Sequence, residues 1–242
     1  MSIFLTLAYL FFIGSLFGWV LELLYRNLSH PGKKWVNPGF CTGPYLPIYG
    51  FGLCVLYLLA SLERYDLIPN PFWNKVGLFA AMAVGMTVIE YIAGVICLKY
   101  LKVRLWDYSD LWGNIQGIIC PLFSAFWAIL GAVYYFLIHP YILDALDWLS
   151  RNLAFSFFIG MFFGVFIIDV AHSAQIVVKL KQFAEENAIV VKYEAIKDHI
   201  RDTAHRQSRK YRFFRPFRSD SPLAEHLKEM YLNLEKQRKN RK

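Results

Sequence analysis

Five apolar runs, at approximately residues 3–25, 46–62, 75–98, 114–138 and 153–178, decide what this chain can become. A helix needs about 20 predominantly apolar residues to cross the hydrocarbon core of a bilayer, and most of these runs reach that length. The second is short and interrupted by proline. In lipid every backbone N–H and C=O must be satisfied within the protein, which for runs of this length means helices. The expected fold class is therefore all-α, a polytopic membrane helix bundle with five transmembrane helices. No basic residue precedes the first run and no small-residue cleavage site follows it, so it reads as a retained span rather than a removed signal.

Charge divides the chain at the end of the fifth run. Residues 1–178 hold 9 Lys/Arg and 9 Asp/Glu; residues 179–242 hold 17 and 9, so the whole formal charge of +8 lies in the tail. This suggests a transmembrane domain over 1–178 and a basic, helical cytoplasmic tail over 179–242. Orientation follows from the loops. Arg26, Lys33 and Lys34 follow the first span and Lys99, Lys102 and Arg104 the third, whereas the second and fourth loops carry only Arg64 with Lys75, and Arg151. Lys and Arg collect on the cytoplasmic side, which puts the N-terminus outside and the C-terminus inside a plasma membrane. Trp73 and Trp148 then fall at the outer interface, and Trp35, Trp106 and Trp112 at the inner one.

Three of the runs carry an acid toward the same end: Gly18-Trp-Val-Leu-Glu22, Gly85-Met-Thr-Val-Ile-Glu90 and Gly164-Val-Phe-Ile-Ile-Asp169. An ionisable group at the centre of a span costs roughly 2.5–3.5 kcal/mol on insertion scales, so such acids mark a candidate site. At a rise of about 1.5 Å per residue, Glu90 and Asp169 lie roughly 12 and 13 Å inside their inner span ends, and Glu22 is shallower. One reading is a cytoplasm-facing polar cavity; the other is interhelical hydrogen bonding. Arg26, at i+4 from Glu22, shares its helix face and is its expected partner.

The first four spans resemble a duplicated hairpin, 3–62 and 75–138, followed by a lone fifth span at 153–178. Each hairpin carries its acid, crosses an inner loop and restarts at an Asn, Asn37 or Asn114, followed by Gly, Cys and Pro. Both Asn residues are expected to cap helix starts, where N–H groups also favour an anion. Gly43-Pro44-Tyr-Leu-Pro47-Ile-Tyr-Gly50 cannot form a regular helix interior, because its prolines lack N–H donors. It is either a broken helix at a binding site or an entry kink. The loop Arg104-Leu-Trp106-Asp107-Tyr108-Ser109 supplies a cation, an indole, a carboxylate and a phenol. Gly14-x-x-x-Gly18 and Gly160-x-x-x-Gly164 suit close helix approach, within the bundle or between protomers.

Other chemistry is sparse. Cys41, Cys54, Cys97 and Cys120 show no paired spacing and read as packing residues. Asp169-x-x-His172 offers one imidazole, short of the three or four ligands a metal site needs, so neither metal nor cofactor is expected. No phosphate-binding loop or nucleophile elbow is present. A polar helix is expected over roughly 179–206, and another starting at Ser221-Pro222. Between them Arg209, Lys210, Arg212, Arg215 and Arg218 interleave with aromatics. Behind membrane spans, this pattern suits an anionic inner leaflet and membrane lipids, rather than nucleic acid.

As a set, Gly18-Trp19-x-x-Glu22, Asn37-x-Gly39-Phe40, Gly43-Pro44-x-x-Pro47-Ile48-Tyr49-Gly50, Glu90, Trp106-Asp107-Tyr108-Ser109 and Asn114-x-x-Gly117 resemble the bacterial family of putative ABC transporter permeases (putative ABC-transporter type IV). The resemblance covers roughly residues 10–140 and departs at Pro38, where the family pattern leads one to expect Arg. It implies a permease that works with a separate ATPase subunit. Transport by so few helices implies a homo-oligomer. Two other functions fit the same residues: a membrane-embedded enzyme acting on a lipid or amphipathic substrate, with Arg26 or Arg104 holding a phosphate, and a scaffold whose tail recruits a partner.

Overall fold

A computed structural model describes residues 2–29, 36–65, 68–206, 213–215, 217 and 222–240. Among these residues the α-helices are α1 (Ile3–Ser29), α2 (Pro47–Ala60), α3 (Pro71–Val95), α4 (Pro121–Val133), α5 (His139–Arg151), α6 (Ser156–Glu186), α7 (Tyr193–Arg206) and α8 (Leu223–Asn240). Four helical stretches among the described residues are long and apolar enough to cross a membrane: Ile3–Leu28, Pro71–Tyr100, Pro121–Arg151 and Leu153–Glu186. The run expected as the second span forms the 14-residue α2. At about 1.5 Å per residue this helix is roughly 21 Å long, less than the roughly 30 Å hydrocarbon thickness.

Local chemistry sets the ends. Asn70 accepts from the N–H groups of Phe72 and Trp73, and Pro71 opens α3 where its missing N–H is harmless. The run expected at 114–138 begins later, at Pro121, because residues 107–120 fold into a compact loop with left-handed backbone at Gly113, Gln116 and Gly117. It also extends further. Pro140 cannot donate to the ladder, and the preceding turn, Tyr134–Ile138, widens into a π-helix that carries the chain on into α5. The expected polar helix over 179–206 is two helices. Asn187 folds its amide onto the Phe183 carbonyl and Ala188 turns left-handed. Val191-Lys192 (β2) then pairs in parallel with Val103-Arg104 (β1). This two-residue ladder is the one regular sheet among the described residues.

The chain divides into two compact units. The first comprises residues 1–21, 45–95 and 107–168; the second 22–44, 96–106 and 169–242. The first is built on Leu10, Leu56, Met82, Met86, Trp127 and Tyr134. Its α1–α2 contact depends on small residues. A Cβ on Gly18 would fall inside the Tyr49 side chain, and one on Gly50 would meet Ser15 and the Phe11 backbone. Gly160 and Gly164 of α6 have nothing within 4 Å of an added Cβ. Gly18→Leu is therefore expected to destabilise the first unit by about 1–3 kcal/mol through overpacking. Gly164→Leu is expected to leave melting in detergent unchanged, so the pair separates steric conflict from a general effect of adding a side chain.

The second unit packs α6, α7 and α8 around Val103, Val177, Leu180, Ala184, Val191, Ile196, Ile200 and Leu227. On α7, Tyr193, Ile196 and Ile200 share one helical face, which is the face buried here. The expected N-cap at Ser221, most of the basic-aromatic run from Arg209 to Arg218, and Lys33, Lys34 and Trp35 lie outside the described residues.

Candidate functional site

Within the second unit, the segment 36–44 has no helix to satisfy its backbone, so side chains do so. The Asn37 amide, almost fully buried, donates to the carbonyls of Cys41 (3.2 Å) and Thr42 (2.9 Å). Asn37 is thus a loop clamp and not the helix cap its position suggested; α2 starts ten residues later, with Leu46 as its N-cap and Pro47 at its first turn. Gly43 and Pro44 lie outside the helix and Gly50 inside it, so the glycine-proline segment forms an entry to α2 rather than a break within it.

Asp169 of α6 grips the same segment. Its two carboxylate oxygens accept from the backbone N–H groups of Thr42 (3.1 Å) and Gly43 (2.7 Å), and Ser173 donates to it at 3.3 Å. From α7, the Lys197 ammonium donates to the carbonyls of Asn37 (2.8 Å) and Gly39, and to Glu194 at 3.3 Å. Tyr193 donates to the Phe40 carbonyl at 3.1 Å, and Lys197 lies over its ring. The Lys197 side chain is only 2% exposed. Arg26 completes the array, bridging Glu22 (2.9 Å) and Glu194 (3.0 Å).

The electrostatics follow from this packing. Burial alone pushes Glu194 up, but the Lys197 and Arg26 charges and their hydrogen bonds outweigh it and hold the carboxyl below its usual range. Burial pulls Lys197 down, with Glu194 opposing. Burial, reinforced by the Asp169 charge, pushes the Cys41 thiol up to about 12, which makes it a packing group rather than a nucleophile. Arg104 stands in β1, in register with Lys192, and Trp106 ends the 96–106 segment of this unit.

The remaining candidates belong to the first unit. Glu90 is 3% exposed on α3; it accepts from the Tyr108 hydroxyl at 2.9 Å, and the Trp127 indole on α4 is also close. Tyr108 is fixed by stacking on Phe123, with ring centroids 4.2 Å apart. Asp107 accepts from the N–H and hydroxyl of Ser109. Asn114 holds the loop rather than capping α4: its amide donates to the Ser109 and Leu111 carbonyls and its oxygen accepts from Gly117 N–H. Cys120 occupies the N-cap position of α4.

Sequence reasoning singled out Glu22, Arg26, Asn37, Gly43 and Asp169 but missed Thr42, Glu194 and Lys197, which complete their interactions. One signal was present. Lys197 follows Tyr193 by four residues and precedes Ile200 by three, so a cation interrupts the apolar face of an amphipathic helix.

Residues 9–174 match the family described as Putative ABC-transporter type IV, well over half of the chain. No curated protein and no solved structure matches.

Proposed function

The chain belongs to the Putative ABC-transporter type IV family, and from that premise we propose that this multi-pass membrane protein is the membrane-spanning subunit of a transporter served by a separate ATPase. In this reading it crosses the bacterial inner membrane five times, with α2 and its flanking residues forming the short second crossing. The distribution of Lys and Arg among the loops supports an outside N-terminus and a cytoplasmic C-terminus. The basic tail then faces the anionic leaflet. Two copies together supply enough helices for a two-sided pathway.

The observation that carries the reading is the use made of the acids. Glu22 and Asp169 direct their carboxylates to Arg26 and to the backbone of Thr42 and Gly43. With Lys197 and Glu194 they join the last turns of α1, segment 37–43, α6 and α7 into one hydrogen-bonded block. A stiff cytoplasmic block continuous with two spanning helices transmits force from a motor subunit. Glu22, Arg26, Asn37 and Asp169 are its polar site. Each of its acids is met by a cation or by hydrogen-bond donors of the protein, as a mechanical coupling element requires, whereas a catalytic acid needs access to substrate.

Purification of the full chain from native membranes in mild detergent tests this. The expected result is an ATP-binding subunit at fixed stoichiometry and ATP-dependent flux after reconstitution in liposomes. Turnover of a lipid by the chain alone, without an ATPase, overturns the proposal in favour of the enzyme reading.

A further inference from the structure

The tail contains a second constellation that the transport reading does not use. His199 on α7 and His226 and Glu229 on α8 present one ligand atom each, all within 4.8 Å of one another. His226 and Glu229 are at i,i+3 on one helix, so they share a face, and His199 approaches from the facing helix. The seating of the two helices does not depend on these polar groups, because Ile196, Ile200 and Leu227 are buried in the same unit. The rings of His199 and His226 stand 5.6 Å apart at 79°, edge toward face.

We propose that His199, His226 and Glu229 bind a divalent first-row transition metal ion, of which zinc is the representative. The ligand chemistry selects the class. Two imidazole nitrogens and one carboxylate suit Zn²⁺, Fe²⁺, Co²⁺, Ni²⁺ or Cu²⁺, whereas Mg²⁺ and Ca²⁺ require oxygen-rich shells. The spacing fits as well. With bonds of about 2.0–2.1 Å, two ligand atoms of a tetrahedral zinc are roughly 3.3 Å apart. His199 Nε2 and Glu229 Oε2 are 3.4 Å apart. An ordinary His199–Glu229 ion pair needs only those two residues; here His226 adds a third ligand atom within 4.8 Å of both.

Access agrees with this. The His226 ring is buried, while the Glu229 side chain is 63% exposed. An ion therefore reaches the site from the Glu229 side and keeps a coordination position open to water. Bound there, it ties α8 to α7 across 27 positions of sequence and slows the opening of that helix pair. Sequence inspection centred on the membrane acids did not find this site, because its histidines are far apart in the chain and join only when α8 packs on α7.

The test uses the full chain, purified without a polyhistidine tag, stripped with chelator and placed in nanodiscs. Zinc chloride is titrated in competition with a chromophoric chelator, and hydrogen exchange in α7 and α8 is measured with and without the metal. The expected result is one zinc per chain with micromolar or tighter affinity, and slower exchange in both helices on binding. His199→Gln and Glu229→Gln are each expected to weaken binding at least ten-fold, while His172→Ala leaves it unchanged. Glu229 is exposed, so its variant folds even where a change at the buried His226 does not. Glu229→His is expected to retain binding. Absence of zinc binding overturns the proposal. So does zinc binding that survives both His199→Gln and Glu229→Gln, because the ion is then held elsewhere.

Discussion

Asp169→Ala is expected to speed amide hydrogen exchange at Thr42 and Gly43 by about 100-fold or more. A hydrogen bond to a charged group contributes about 1.5–3 kcal/mol, and Asp169 accepts two from this backbone. Taking the lower bound for each gives about 3 kcal/mol, and each 1.4 kcal/mol is a factor of ten in an equilibrium constant. Losing the acceptor also leaves two half-buried N–H groups beside an apolar methyl. Asp169→Asn separates charge from geometry. It keeps one acceptor oxygen but turns an NH2 group toward the second N–H, so one amide is expected to be released and the other partly protected. Exchange measured by mass spectrometry in nanodiscs decides the matter. Unchanged exchange at Thr42 and Gly43 in Asp169→Ala means that another contact holds the segment, and the coupling reading loses its main support.

Such an outcome bears on the role of acids in the spans generally. A carboxylate at membrane depth is a reasonable candidate for a conduit or a proton relay, because it is costly there. The same cost is met when the carboxylate is saturated by the protein's own N–H groups and cations. Asp169 and Glu22 are of that kind, with backbone donors on one and an arginine on the other. Glu90 differs: its neighbours are a phenol and an indole, with the nearby loop folded so that Tyr108 reaches it.

How much of this was legible follows from the range of the forces involved. Apolar runs and an i,i+4 pair are local, so the long spanning helices and the Glu22–Arg26 contact could be read from sequence. The resemblance read from residues 10–140 agrees with the family match at 9–174. Asn37 and Asn114 do not start helices, for a local reason. Asn serves loops as readily as caps, and the following prolines and glycines kept the chain extended until Pro47 and Pro121. The continuation past residue 138 was hidden by Pro140, which widened the helix instead of ending it. The contacts of Glu194 with Arg26 and of Lys197 with Asn37 were out of reach because the partners are more than 150 residues apart. The parallel pairing of Val103 with Val191 has no periodic signature at a length of two residues.

Lys197→Met is expected to give the largest loss of stability in the second unit, about 3 kcal/mol. Breaking a buried ion pair by removing one partner costs roughly 3–5 kcal/mol, and the partial exposure of Glu194 favours the lower figure. Methionine fills the same channel but donates nothing, so the Asn37 and Gly39 carbonyls lose the Lys197 donor and Glu194 keeps its Arg26 contact but loses the ammonium. Arginine is not a substitute, since a planar fork cannot replace a compact ammonium between two carbonyls. The double variant Lys197→Met, Glu194→Gln is expected to recover part of the loss by removing the uncompensated acid. The pH dependence has a defined sign. Glu194 is held below its ordinary value of 4.5, so its contribution is complete above pH 4.5 and is lost as pH falls through the lower folded value. Thermal melting in detergent should therefore show an acid limb beginning near pH 4.5 and extending below it, and Glu194→Gln should flatten that limb. A limb unchanged in Glu194→Gln, with Lys197→Met as stable as wild type, means that the charges on α7 do not secure the loop.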